Sequence, residues 1–178
     1  LLGIIVAAIF VLLSQLTVMS LAGYVYPNVY GSAAAQSTAS LLGTVVMLIV
    51  CAPFASKLAA KFGKKELAVA SSICSALVWL VCLIWRPASV WGFVACYILA
   101  NIGMGFFNTI IWAMITDVID DAEVRSGIRE DGTIYSVYSF ARKLGQAFSS
   151  GLVGALLGII GYTEATAFDP AVTRGIFN

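Results

Sequence analysis

The residues able to do chemistry in this sequence lie within or beside long apolar runs. Ser136, Ser139, Lys143, Gln146 and Ser150 are separated by three, four, three and four positions, so a helix carries all five on one face. Val137, Leu144, Phe148 and Leu152 fall on the opposite face, free to meet lipid or other helices. Lys143 stands roughly 15 Å along a helix that starts at Thr133, which places an ammonium group near mid-membrane. A central lysine costs roughly 2.5 to 3.5 kcal/mol to insert, so it needs an anionic or polar partner and is a candidate functional residue. In the competing reading Arg142 and Lys143 are ordinary flanking cations and the span is confined to residues 144–162. Gly145, Gly151, Gly154 and Gly158 suit close helix packing with no further role.

A second stripe, Asn101, Gly105, Asn108 and Trp112, is spaced four, three and four. Asparagine in lipid is costly unless it faces protein or water, so this face either lines a cavity or makes hydrogen bonds that only hold helices together. Gln15, Thr17, Tyr24 and Tyr26 read as packing. Asp117, Asp120, Asp121 and Glu123 gather where the same helix is expected to end, although carboxylates there oppose the helix dipole. They need cations. Asp121 and Arg125 are spaced as an (i, i+4) pair, Arg129 follows closely, and Lys57 or Lys61 can approach from a neighbouring loop. Such a cluster serves either as a cytoplasmic gate that forms and breaks or as a solvated loop without energetic weight.

The sequence contains no histidine, which removes the commonest general base and metal ligand. Cys51, Cys74, Cys82 and Cys96 stand singly inside apolar runs and read as small fillers. No metal cluster, nucleophile–base pair or phosphate-cradling loop is visible, so an enzyme is not expected. A net charge of +1 gives no footprint for nucleic acid.

The elements that carry these residues follow from composition: 61% of residues are hydrophobic and 11% charged, against about 25% charged in ordinary soluble domains. The apolar runs approach bilayer length and do not alternate, so helices, not barrel strands, are expected. The pattern predicts an all-α membrane protein with about five transmembrane helices in one region, spanning roughly 1–25, 37–60, 67–85, 90–116 and 133–162. A charged loop is expected over 117–131. Eight of the ten basic residues fall between the second and third spans or around the fourth-to-fifth connection, at Lys57, Lys61, Lys64, Lys65, Arg125, Arg129, Arg142 and Lys143. Those connections are therefore expected in the cytoplasm. Residues 163–178 are polar with an apolar end, as if a further span were beginning. The chain opens inside an apolar run without Met, so a piece of a longer protein is expected.

Asp117-Val118-Ile119-Asp120-Asp121-Ala122-Glu123-Val124-Arg125-Ser126-Gly127-Ile128-Arg129-Glu130-Asp131-Gly132 is followed by Ile134-Tyr135-Ser136 and by Arg142-Lys143-Leu144-Gly145-Gln146-Ala147. This ordered set closely resembles the glycoside-pentoside-hexuronide:cation symporter family, a branch of the major facilitator superfamily that includes melibiose and glucuronide carriers. Phe62-Gly63-Lys64-Lys65-Glu66 extends the likeness, which covers the chain from its second helix to its tail. Where the family commonly shows Asp-x-x-Asp-Tyr-Gly-Glu, this chain has Asp121 and Ala122 at the Tyr-Gly positions, so no single member's substrate can be transferred to it.

The resemblance implies that the spans are helices seven to eleven of a twelve-helix fold, most of the C-terminal half of a transporter. It implies sugar:cation symport by alternating access in a bacterial cell or inner membrane. It places Lys143 at an intramembrane lysine near the sugar and cation sites, and the fragment then supplies one wall of the sugar cavity, for which the two polar stripes offer Asn101, Asn108, Trp112, Ser139 and Gln146 as candidates. No cofactor is expected. The coupling cation, sodium or proton, takes its main ligands from the N-terminal half, which is the implied partner together with sugar and lipid. The alternative is a truncated or non-transporting helical subunit.

Overall fold

Hydrocarbon offers a backbone no hydrogen bonds, so each apolar run must satisfy its own N–H and C=O groups by coiling into a helix. A computed structural model describes residues 2–177. The helices are α1 (Leu2–Asn28), α2 (Ala33–Phe62), α3 (Lys64–Trp85), α4 (Val90–Ser126), α5 (Asp131–Ile160) and α6 (Pro170–Phe177). Among the described residues five helices are long and apolar enough to cross a membrane. The five-span, all-helical architecture expected from the apolar runs is the one observed.

The long helices run up and down. At one end Lys64 at the start of α3 binds Asp117 of α4 at 2.6 Å, which brings the two basic connections together. At the other end the Tyr30 hydroxyl donates to the Pro87 carbonyl at 2.8 Å, and the Asn28 amide donates to the Tyr162 hydroxyl at 3.4 Å. Phe93 sits among rings there, 5.2 Å from Tyr26, 6.1 Å from Trp79 and 6.1 Å from Phe177. The segment in which a further span was expected to begin carries the short helix α6. It buries Val172 and Ile176 against this aromatic end.

The packing centres on α4, which lies between α2 and α3, while α1 packs along α5. Apolar side chains gain little by leaving lipid for a partner helix, so close backbone approach must supply the attraction. α4 achieves this with glycines. A methyl group at Gly103 would lie 2.7 Å from the Ser71 carbonyl oxygen, and one at Gly105 would lie 2.8 Å from Cys51 Sγ. At the same crossings Ser75 Oγ donates to the Ala100 carbonyl at 2.9 Å, and Cys51 Sγ to the Ile102 carbonyl at 3.4 Å. Of the α5 glycines read as packing residues, Gly145 does approach Ile9 of α1, but Gly151, Gly154 and Gly158 face open space. Leu48, Ile49, Leu77, Leu80 and Ile84 point outward from α2 and α3, as lipid permits.

Two boundaries differ from the sequence reading. α4 does not stop near residue 116; it runs to Ser126 and ends on Gly127, at φ 72°, whose N–H caps Glu123. Ile115 and Ile119 are fully buried, and Val118 and Ala122 pack beside them. The apolar ridge thus outlasts the hydropathy, and Asp117 to Arg125 belong to a helix instead of a loop. α2 and α3 are separated by Gly63 alone, at φ 96°, a conformation that favours glycine.

Gly103→Ala should lower the stability of the protein by about 1 to 3 kcal/mol, as overpacking does, whereas Gly151→Ala should be neutral. Thermal melting in detergent reads both, and equal melting of the two variants would show that α4 does not make the close crossing.

Candidate functional site

On α5 every member of the polar stripe, Ser136, Ser139, Lys143, Gln146 and Ser150, is exposed, while Tyr138, Ala141, Gly145, Ser149 and Val153 form the ridge buried against the rest of the bundle. Ser136 and Ser150 return their hydroxyls to the Thr133 and Gln146 carbonyls, so their own helix satisfies them. Lys143 makes no ion pair among the described residues. The helix runs unbroken from Asp131 through Lys143, so no helix start at Leu144 separates the cations from the rest of the span.

Beside this stripe lies a group that the sequence reading did not assemble. The Arg142 guanidinium carbon lies over the Trp112 ring, 5.2 Å from its centre, and over the Tyr138 ring at 5.9 Å. The two rings meet edge to face at 5.4 Å, with Tyr135 at 6.4 Å from Trp112. Trp112 is thus brought to α5 by Arg142, not by Lys143, and one of its faces is already covered by the guanidinium. Cation–π contacts are worth roughly 0.5 to 2 kcal/mol, less than the roughly 2.5 to 3.5 kcal/mol for inserting a central arginine. The charge is steadied but not neutralised. The spacing along α5 alone could not reveal this, because the clamp comes from α4; an arginine next to the singled-out lysine was the available signal.

The asparagines of α4 are partly buried and bonded. Asn108 Nδ2 donates to Gln15 Oε1 of α1 at 3.2 Å, and Asn101 Nδ2 donates to its own helix at the Tyr97 carbonyl, 2.8 Å away. Gln15, Asn101, Ser14, Met19 and Trp79 border a crevice of about 20 Å³, room for little more than one water. A buried contact between Thr17 Oγ1 and Ser149 Oγ, 3.1 Å apart, ties α1 to α5. Ser149 escaped the sequence reading because it lies one residue off the stripe.

The carboxylates near the end of α4 are paired, with one change of partner. Arg125 binds Asp121 at 3.0 Å. Lys64, and not Lys57 or Lys61, takes Asp117, because the one-residue turn delivers the first residue of α3 there; Lys61 lies over the Phe62 ring instead. Arg129 binds Glu123 at 2.7 Å, Asp131 at 3.0 Å and Asp120 at 3.3 Å. It joins the end of α4 to the start of α5. Hydrogen bonds to Asp131 and Glu123 raise its already high pKa further.

A hollow of about 540 Å³ lies away from these groups, between α1, α3 and α4. Its walls are mostly apolar, with Val11, Phe107, Ile111 and Met114 among them, and Lys65 and Ser72 are their polar members. The open face formed by α5 and the adjoining part of α4 is the candidate site.

The family model described as MFS/sugar transport protein matches residues 1–178. An uncharacterised symporter of Bacillus subtilis is 40% identical over 61% of this chain and 24% of its own length. A glucuronide carrier protein homolog of Escherichia coli is 30% identical over 76% of this chain and 30% of its own length. A candidate sulfoquinovose importer of Salmonella typhimurium is 33% identical, over 76% and 28%. The chain thus spans under a third of the length of these relatives. No solved structure matches it.

If Asn108 and Gln15 bond as described, replacing each by Leu, singly and together, should return a coupling of about 0.6 kcal/mol in stability, the average for interhelical hydrogen bonds in a membrane. A coupling of zero would remove the bond.

Proposed function

The chain belongs to the MFS/sugar transport protein family, and from that premise we propose that it forms part of a secondary transporter that moves a sugar or sugar-like acid together with a cation. Three supports bear on this reading. The chain is a multi-pass membrane protein by its helices and its family. Its relatives are named as a symporter, a glucuronide carrier and a sulfoquinovose importer. The observation that carries the proposal is the open stripe of Ser139, Lys143 and Gln146 on a transmembrane helix. Facing hydrocarbon, that stripe is costly; facing a water-filled cavity closed by a second helical bundle, it is a binding wall.

In this reading the five spans are helices seven to eleven of twelve, in a bacterial cell membrane. The N-terminal half closes the cavity and supplies the main ligands of the coupling cation, sodium or proton. Lys143, Ser139, Gln146, Asn101 and Asn108 offer hydrogen bonds to hydroxyl groups, and Trp112 offers apolar ring surface. Binding of sugar and cation is reciprocal, each improving the other's site. The Lys64–Asp117 pair and the Arg129 network form the cytoplasmic gate, broken when the halves rock apart. A non-transporting helical subunit would leave the open stripe without a purpose.

Lys143→Ala in the full-length protein should abolish cation-dependent uptake while leaving the amount of protein in the membrane unchanged; uptake and cation dependence like those of wild type would exclude its role. The gate has its own test. Arg129→Gln removes three ion pairs and should change the transport rate roughly tenfold, the effect of about 1.4 kcal/mol. Arg125→Gln removes one exposed pair of about 0.3 to 0.5 kcal/mol and should hardly matter. Equal rates in the two variants would show that the Arg129 cluster is not a gate.

A further inference from the structure

We propose that Arg142 is the acid-recognition residue of this site, binding the carboxylate or sulfonate of an anionic polyhydroxy substrate; the inference rests on the transport reading above.

Arg142 is the twelfth residue of a thirty-residue transmembrane helix, is only partly exposed, and has no carboxylate partner among the described residues. The carboxylates of α4 that might have answered it are committed elsewhere: Asp117 to Lys64, Asp121 to Arg125, and Asp120 and Glu123 to Arg129. A permanently charged group in this position calls for an anion. Arginine cannot discharge itself by losing a proton, so neutralisation has to come from another molecule or another part of the transporter.

The geometry favours a ligand. The guanidinium carbon lies over the Trp112 and Tyr138 rings at 5.2 and 5.9 Å, whereas no hydrogen bond from the guanidinium edge appears among the described residues. The edge carries five N–H donors in a rigid fork, the shape that binds a carboxylate or sulfonate through two parallel bonds. The two rings hold the guanidinium in place without taking its donors in hydrogen bonds.

Placement on the helix completes the argument. At 3.6 residues per turn, Arg142 projects between the buried ridge of Tyr138 and Ser149 and the open stripe of Ser139 and Gln146. An acid group on the fork therefore brings the hydroxyl groups of the same molecule against Ser139 and Gln146, one turn to either side. Lys143 points about 100° further round, toward the middle of the open stripe. The two adjacent cations consequently serve different atoms.

The test is uptake by the full-length transporter in proteoliposomes of two acids, methyl β-glucuronide and sulfoquinovose, against the neutral methyl β-glucoside. Wild type should favour at least one acid. Arg142→Gln should cut the acid-to-neutral ratio of kcat/KM at least tenfold, mainly through KM for the acid. Arg142→Lys, which keeps the charge and loses the fork, should fall between the two. An unchanged ratio, or an equal loss for acid and neutral compounds, would overturn the assignment and leave Arg142 a packing or lipid-phosphate contact. Failure of wild type to take up any of the three would overturn the transport reading itself, and the inference with it.

Discussion

A polar group in hydrocarbon must meet another polar group or water, and most of this molecule is arranged around that demand. Backbone groups meet it by coiling. Side chains meet it in pairs that also join helices: Asn108 with Gln15, Thr17 with Ser149, Ser75 with the Ala100 carbonyl. Charges are mostly driven to one end, where Lys64, Arg125 and Arg129 are matched by carboxylates. Tyr26 is an exception inside the bundle, its buried hydroxyl having no partner among the described residues. On the open face of α5, Ser139, Lys143 and Gln146, with Arg142 beside them, carry polarity that lipid would not meet.

α4 gives these pairs a fixed frame. Its glycines bring the backbones of α2 and α3 close enough for hydroxyl and thiol groups to reach carbonyls across the crossing. The same helix carries Asn101, Asn108 and Trp112 toward α1 and α5 and then runs on to place Asp117, Asp120 and Glu123 beyond the apolar span. One continuous rod therefore connects the proposed substrate wall with the proposed gate. A shift of the rod moves both, which is the kind of mechanical link alternating access needs.

Much of this was legible in the sequence, and the failures have a common cause. Apolar runs of bilayer length can only be helices, and the basic residues marked their shared end. The residue types and periodicity of α5 disclosed its open stripe. What escaped depends on more than one helix. Hydropathy ended α4 at residue 116, yet the buried spacing of Ile115 and Ile119 carries it to Ser126. Lys57 and Lys61 are the cations that the sequence offers the carboxylate cluster from the neighbouring loop, but a turn of a single glycine delivers Lys64 to Asp117. Arg142 looked like a flanking charge because its clamp, Trp112, comes from α4.

The ion pairs at one end and the aromatic cluster at the other give the bundle two closures of different physical kind. Charges in water are screened within a Debye length of about 8 Å at physiological ionic strength, so dissolved salt loosens the Arg129 cluster. The rings gathered around Phe93 cohere by contact and exclusion of water, which moderate salt scarcely alters. Ionic strength on the basic side is thus a one-sided lever. It weakens the contacts at one end and leaves those at the other nearly unchanged, so the two ends of the bundle differ in their response to salt.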